Sequence, residues 1–241
     1  MGELLVSRTG SVLELTLNRP EKMNALSASL VEALHEALDQ ADSDGTRLVI
    51  FRGEGKNFSA GFDFGGYDTQ SEGDLVLRFV RIEQLLQRVA HASYDTLAFA
   101  QGRNFGAGVD LFAVCNRRVA TTSSSFRMPG LGFGLVLGSR RFAAMVGESW
   151  ARQVLQEGIT FEGTEAHARG FVTVLADADA WAGERTRAET AMHGLGEDAT
   201  TRLFRVTRSD TRAADMAELV ASAARPGLQG RLRAYREALG K

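Results

Sequence analysis

The chain has 241 residues, 44% of them apolar, enough to bury a good core as one large domain or as a domain with an appendage. Its 28 basic and 30 acidic residues leave a net charge of −2, which marks neither a nucleic-acid nor an anionic-membrane partner. No apolar run approaches the roughly 20 residues of a membrane span, and Met1-Gly2-Glu3 opens on an acidic residue rather than a basic signal-peptide start. The expectation is a soluble, cytoplasmic protein. Its single Cys115 has no internal disulfide partner and reads as a small buried hydrophobe.

Residues 3–8 and 11–17 read as a hairpin turning at Thr9-Gly10, with Leu13, Leu15 and Leu17 alternating against Val12, Glu14 and Thr16. Ser27 can cap a helix reaching about Ala41, whose Leu30, Leu34 and Leu38 recur at helical spacing. Leu48–Phe51 is wholly apolar, as expected of a strand buried on both faces. A helix over 72–91 carries Leu75, Phe79, Ile82, Leu85, Leu86 and Val89 on one stripe, with Arg78, Arg81, Glu83 and Arg88 interspersed. Then come a strand at Thr96–Ala100, a helix at Gly106–Cys115 and a strand at Arg117–Thr121, so a β-loop-α-β unit recurs. From Ser139 the pattern turns helical: Arg140–Val146, Ser149–Gln156 and Thr164–Arg169, then a strand-like run at Phe171–Leu175. Helices near 180–194, 199–207, 211–224 and 228–239 complete the chain, the last two divided by Pro226-Gly227. The fold class is α/β, a spiral core over 1–180 followed by a C-terminal helical region over 181–241, with no linker that forces two independent domains.

Two stretches carry the chemistry: Phe58-Ser59-Ala60-Gly61-Phe62-Asp63-Phe64 and Gly102-Arg103-Asn104-Phe105-Gly106-Ala107-Gly108-Val109-Asp110-Leu111. Each follows a short apolar strand and has residues with little or no side chain, where a backbone N–H can approach a ligand closely. The second opens a helix, whose unpaired N–H groups and partial positive charge suit a developing oxyanion. Together with Asn18-Arg19-Pro20-Glu21-Lys22-Met23-Asn24-Ala25-Leu26 and Phe126-Arg127-Met128-Pro129, these loops resemble the crotonase (enoyl-CoA hydratase/isomerase) superfamily in motif order.

That resemblance implies a crotonase-like spiral of ββα turns that binds an acyl-CoA thioester and stabilises its enolate between two backbone N–H groups, here those of Ala60 and Ala107. It implies a CoA and substrate path along Lys22, Ala25, Leu26, Ser59, Gly61, Phe62, Asp63 and Phe64, although Asp63 reads equally well as a structural cap. Coenzyme A enters as part of the substrate and no separate cofactor is implied. A homotrimer or hexamer is implied, with C-terminal helices over the site, where Arg231, Arg233, Tyr235 and Arg236 could meet CoA phosphates. Family hydratases use two glutamates; Asp110 stands at the first position and Gly130 at the second. Aspartate retracts its carboxylate by roughly 1.5 Å, which matters for a base that must come within about 3 Å of its proton. Glycine supplies no acid or base, so Asp110 is the one catalytic residue at a family position. An apolar wall over 130–139 would raise its pKa. Arg127, Ser139, Arg140 and Tyr67 remain as polar candidates near the site. The histidines, with His35, His91 and His167 expected to be partly exposed, show no metal-ligand spacing and no Ser-His-Asp order.

Three readings of function follow. The first is a hydratase or isomerase with a depleted acid/base pair, or a decarboxylase or C–C hydrolase of the same fold. The second is a CoA-binding subunit without catalysis. The third is a nucleotide-dependent oxidoreductase, because Gly102-x-x-x-Gly106-x-Gly108 resembles a dinucleotide glycine pattern, but the pattern lies mid-chain and no Tyr-x-x-x-Lys follows.

Overall fold

The structure, a computed structural model, describes residues 2–240. Met1 and Lys241, the outer ends of the two expected regions, lie outside the described residues. Strands β1 (Leu4–Thr9) and β2 (Val12–Leu17) form the expected antiparallel hairpin, Thr9 opposite Val12. Helix α1 (Ala28–Ala41) starts where Ser27 accepts the Leu30 N–H at 3.0 Å, then leads to β3 (Leu48–Gly53), parallel to β2. Helix α2 (Glu72–Ala90) opens on a reciprocal cap between Ser71 and Asp74 and returns the chain to β4 (Asp95–Ala100), parallel to β3.

The next turn of the spiral contains β5 (Arg103–Phe105), α3 (Ala107–Ala113), β6 (Arg117–Ala120) and β7 (Ser125–Arg127). Helices α4 (Ser139–Val146) and α5 (Glu148–Glu157) follow, then β8 (Thr160–Glu162), α6 (Gly163–Ala168) and β9 (Val174–Leu175). The main sheet runs β1-β2-β3-β4-β6-β9, all parallel after the hairpin. Strands β5, β7 and β8 make a second, three-stranded sheet that no apolar period in the sequence announced. This is an α/β architecture of successive strand–helix turns ending in α7 (Trp181–Gly194), α8 (Glu197–Thr207), α9 (Arg212–Ala223) and α10 (Leu228–Ala238).

Both faces of the inner strands β3 and β4 are buried. Leu13, Leu15 and Leu17 face the larger core with the α1 and α2 stripes; Val12, Leu48, Ile50, Leu97 and Phe99 face the other way, under Trp181 and Met192 of α7. Two-sided burial is why these parallel strands read as continuous apolar runs. Leu219, Ala223, Leu228 and Leu232 of α9 and α10 belong to the same core as the spiral. One expectation is corrected: His35, expected to be partly exposed, is buried with its Nε2 3.1 Å from the Arg81 carbonyl oxygen. Glu83, interspersed along the apolar stripe of α2, is 1% exposed.

Candidate active site

The loop after β3 is locked to the N-terminal signature through Asn24. This side chain accepts the Arg19 N–H at 2.8 Å and donates to the Glu54 and Asn57 carbonyls at 2.9 and 2.8 Å. Ser59, fully buried, donates to the Asn24 carbonyl at 2.8 Å and accepts the Gly61 N–H at 3.1 Å. Gly61 has φ +77°, and a Cβ there would come within 2.3 Å of the Phe105 oxygen and 2.8 Å of the Ala107 nitrogen. The two loops therefore touch through a residue that must lack a side chain.

The assignment of the first donor to Ala60 is corrected by this geometry. The Ala60 N–H donates to the Met23 carbonyl at 2.8 Å, so it is not free for a ligand. Leu26 pairs with Phe62 in a short parallel bridge that engages Leu26, Gly61 and Asp63 but leaves the Phe62 N–H out. Among the described residues neither the Phe62 N–H nor the Ala107 N–H, first of α3, has a hydrogen-bond acceptor. Both residues line a cavity of about 450 Å³. Motif matching finds the loop, but no local sequence signal tells which of its amides is already taken.

Lys22, Ala25, Ala60, Phe64 and Gly130 also lie on the cavity wall; Leu26, Ser59, Gly61 and Asp63 do not line it. Asp63 is held by structure. Its carboxylate accepts the Gly65 N–H at 2.8 Å and pairs with Arg19 at 2.8 Å. Burial alone would raise its pKa, but these partners and Arg78 hold it below the usual carboxylate range. The apolar walls include Phe79, stacked on Phe62 with centroids 4.3 Å apart, and Leu135 and Leu137. From the tail, Tyr235 enters the wall, whereas Arg231 is held by the carbonyls of Phe133, Gly134, Ser222, Ala223 and Arg225. Ser139 and Arg127 line the cavity too; Tyr67 and Arg140 do not.

Asp110 is 3% exposed, lines the cavity, and has no hydrogen-bond donor on its carboxyl among the described residues. It rests against Gly138, the residue before α4: a Cβ on Gly138 would sit 1.7 Å from Oδ1, and Gly138 has φ +66°. Burial pushes the Asp110 pKa well above its ordinary value of 3.8; Arg141 opposes this and Glu83 adds to it. Arg141 is itself clamped, donating to both oxygens of Glu83 at 2.8 and 2.6 Å and to Asp215 at 3.1 Å. Its Nε is buried without a partner. This Glu83–Arg141–Asp215 cluster has no local sequence signal, because its members come from α2, α4 and α9.

A second cavity, about 570 Å³, lies between the sheet and α7–α8 and includes Tyr94, Asp95 and Arg117. No residue of the two loops reaches it, so the chemistry belongs with the smaller cavity. The Cys115 thiol is 1% exposed and burial pushes its pKa up to about 12, which makes it inert. No group of three or more potential metal ligands occurs among the described residues, and no described helix is long and apolar enough to cross a membrane.

With this geometry in place, comparison with known proteins converges on one family. The sequence profile for "Enoyl-CoA hydratase/isomerase" matches residues 7–224. A probable enoyl-CoA hydratase of Bacillus subtilis is 31% identical over 185 residues, covering 75% of this chain and 71% of that protein. The 2,3-dehydroadipyl-CoA hydratase of Escherichia coli is 31% identical over 184 residues, covering 74% and 71%. A crystal structure from Bordetella parapertussis, provisionally titled an enoyl-CoA hydratase/isomerase, is 51% identical with a TM-score of 0.95 over 97% of this chain and 98% of that one. An enoyl-CoA hydratase structure from Bacillus halodurans shares the fold at 20% identity and a TM-score of 0.84, covering 97% and 100%. Matched along most of its length, the chain belongs to the enoyl-CoA hydratase/isomerase family and is an acyl-CoA-processing enzyme of that family.

Proposed function

We propose that this enzyme moves a proton at the carbon next to an acyl-CoA thioester, with Phe62 and Ala107 as the oxyanion donors and Asp110 as the acid/base. The observation that carries the reading is the meeting, in a single cavity, of two N–H groups without an acceptor and one carboxyl without a donor. The ionised Asp110 takes a proton from carbon, the electron pair passes to the thioester oxygen, and the two N–H groups stabilise the resulting enolate. The protonated Asp110 then returns its proton to a different carbon, which shifts the double bond. One carboxyl suffices for both halves of that exchange, so Gly130 is no obstacle to it. Burial raises the Asp110 pKa, which eases the protonated half of that exchange.

Hydration is the second reading, favoured by relatives named as hydratases. It requires Asp110 alone to activate water and protonate the α-carbon, a task that the family divides between two carboxylates. Coenzyme A enters as part of the substrate, along Lys22, Ala25 and Phe64, and assembly as a trimer or hexamer belongs to the same proposal.

The test follows vinylacetyl-CoA and crotonyl-CoA by NMR in D2O. Double-bond migration with deuterium next to the thioester, lost in Asp110→Asn, supports the isomerase reading; addition of water to crotonyl-CoA without migration supports hydration. Label uptake undiminished in Asp110→Asn removes Asp110 from the mechanism. Binding of both thioesters with no turnover points to an inactive CoA-binding subunit.

A further inference from the structure

Arg127 stands in the cavity wall, partly buried, with its Nε donating to the Gly158 carbonyl at 3.0 Å at the end of α5. That bond closes the helix terminus, a structural task, but it uses one of five N–H donors. The two terminal nitrogens have no acceptor, and no carboxylate lies within 4.0 Å, among the described residues. Other arginines that turn inward are occupied. Arg19 meets Glu3 and Asp63, Arg141 meets Glu83 and Asp215, Arg117 meets Asp95, and Arg118 donates to the Cys115, Asn116, Gly170 and Phe171 carbonyls. The wall around Arg127 is apolar, with Leu131, Leu155 and Leu239. The two terminal nitrogens therefore keep donors that a ligand anion in the cavity can take up. The Tyr235 hydroxyl, also without a partner among the described residues, belongs to the same wall; burial pushes its pKa up and the Arg127 charge opposes this.

We propose that Arg127 and Tyr235 form an anion-recognising subsite, so that the preferred substrate is an acyl-CoA whose acyl chain itself ends in a carboxylate. This rests on the acyl-CoA reading above and names its substrate class. The Arg127 carbonyl accepts the Gly106 N–H at 2.8 Å, one residue from the Ala107 donor, so this side chain is rooted beside the thioester position. The CoA phosphates are separated from the thioester by the whole pantetheine arm. The guanidinium fork receives the two carboxylate oxygens and the tyrosine O–H donates to one of them.

Calorimetry tests this by comparing succinyl-, glutaryl- and adipyl-CoA with butyryl-, valeryl- and hexanoyl-CoA, and with free CoA. At least one carboxyl-ended thioester binds about tenfold more tightly than its methyl-ended counterpart, the increment of one charge-assisted contact of about 1.4 kcal/mol. Arg127→Met erases that difference, and Tyr235→Phe reduces it. Arg127→Gln, which can still donate to the Gly158 carbonyl, also erases it and separates the loss from a loosened α5. Equal affinities in the unaltered protein overturn the proposal, as does a preference that survives both Arg127 variants. A loss that is equally large for free CoA assigns the anion to a CoA phosphate and overturns it too. If no acyl-CoA of either kind binds, the acyl-CoA reading itself falls.

Discussion

Asp63 and Asp110 are both aspartates on short loop-to-helix segments, both withdrawn from water, and the structure treats them in opposite ways. Asp63 receives an N–H and a guanidinium and is held below the usual carboxylate range. Asp110 receives no hydrogen bond, faces the cavity and is raised well above it. Burial with partners makes a carboxylate a structural tie, while burial without partners leaves it reactive. The distinction lies in the neighbours and not in the residue type.

The sharpest way to break the comparison is to remove each carboxylate in turn. Asp110→Asn lowers turnover by about 10²–10⁴, the range of a lost general acid/base, without lowering the melting temperature, because no tie is cut. A larger effect on stability comes from the support beneath it. Glu83→Ala leaves Arg141 buried with Asp215 alone and costs about 3–5 kcal/mol by denaturant unfolding. If Glu83→Ala unfolded like the unaltered protein, the buried ion cluster would have no structural role.

Much of the fold was legible because it rests on long apolar stripes. Helix α2 spans Glu72–Ala90 against an expected 72–91, and all six stripe residues are buried. The three-residue strands β5, β7 and β8 were not legible: they are too short to show a period, and pairs such as Phe126 with Phe161 exist only through tertiary pairing. The same holds at the site. Motif order locates the two loops, but Ala60 loses its N–H to a Met23 carbonyl presented by an unusual left-handed pair, Met23 at φ 51° and Asn24 at φ 54°. Glu83 was unreadable for a related reason, since its partner Arg141 is 58 residues away.

Asp63→Asn should have a smaller effect than Glu83→Ala. Its ion pair with Arg19 is 16% and 13% exposed, so some solvent screening remains, and the expected cost is about 1–2 kcal/mol with turnover changed less than about threefold. A loss of turnover as large as that of Asp110→Asn would end the division of roles between the two residues.

The pH dependence of stability sharpens the contrast further, because the two shifts have opposite signs. The raised Asp110 makes the folded protein bind more protons than the unfolded chain between the ordinary carboxylate value and its own. Stability therefore falls as pH rises through that window, by at most about 1.4 kcal/mol per unit. Asp63 works in reverse: its contribution is present above the unfolded value and is lost as pH falls through its lowered one. Unfolding curves measured from acid to neutral pH should show Asp110→Asn gaining stability relative to the unaltered protein as pH rises, and Asp63→Asn converging on it as pH falls. A constant difference between Asp110→Asn and the unaltered protein across that range would mean that Asp110 titrates as an ordinary carboxylate. Its burial would then do nothing to ease the protonated half of the exchange.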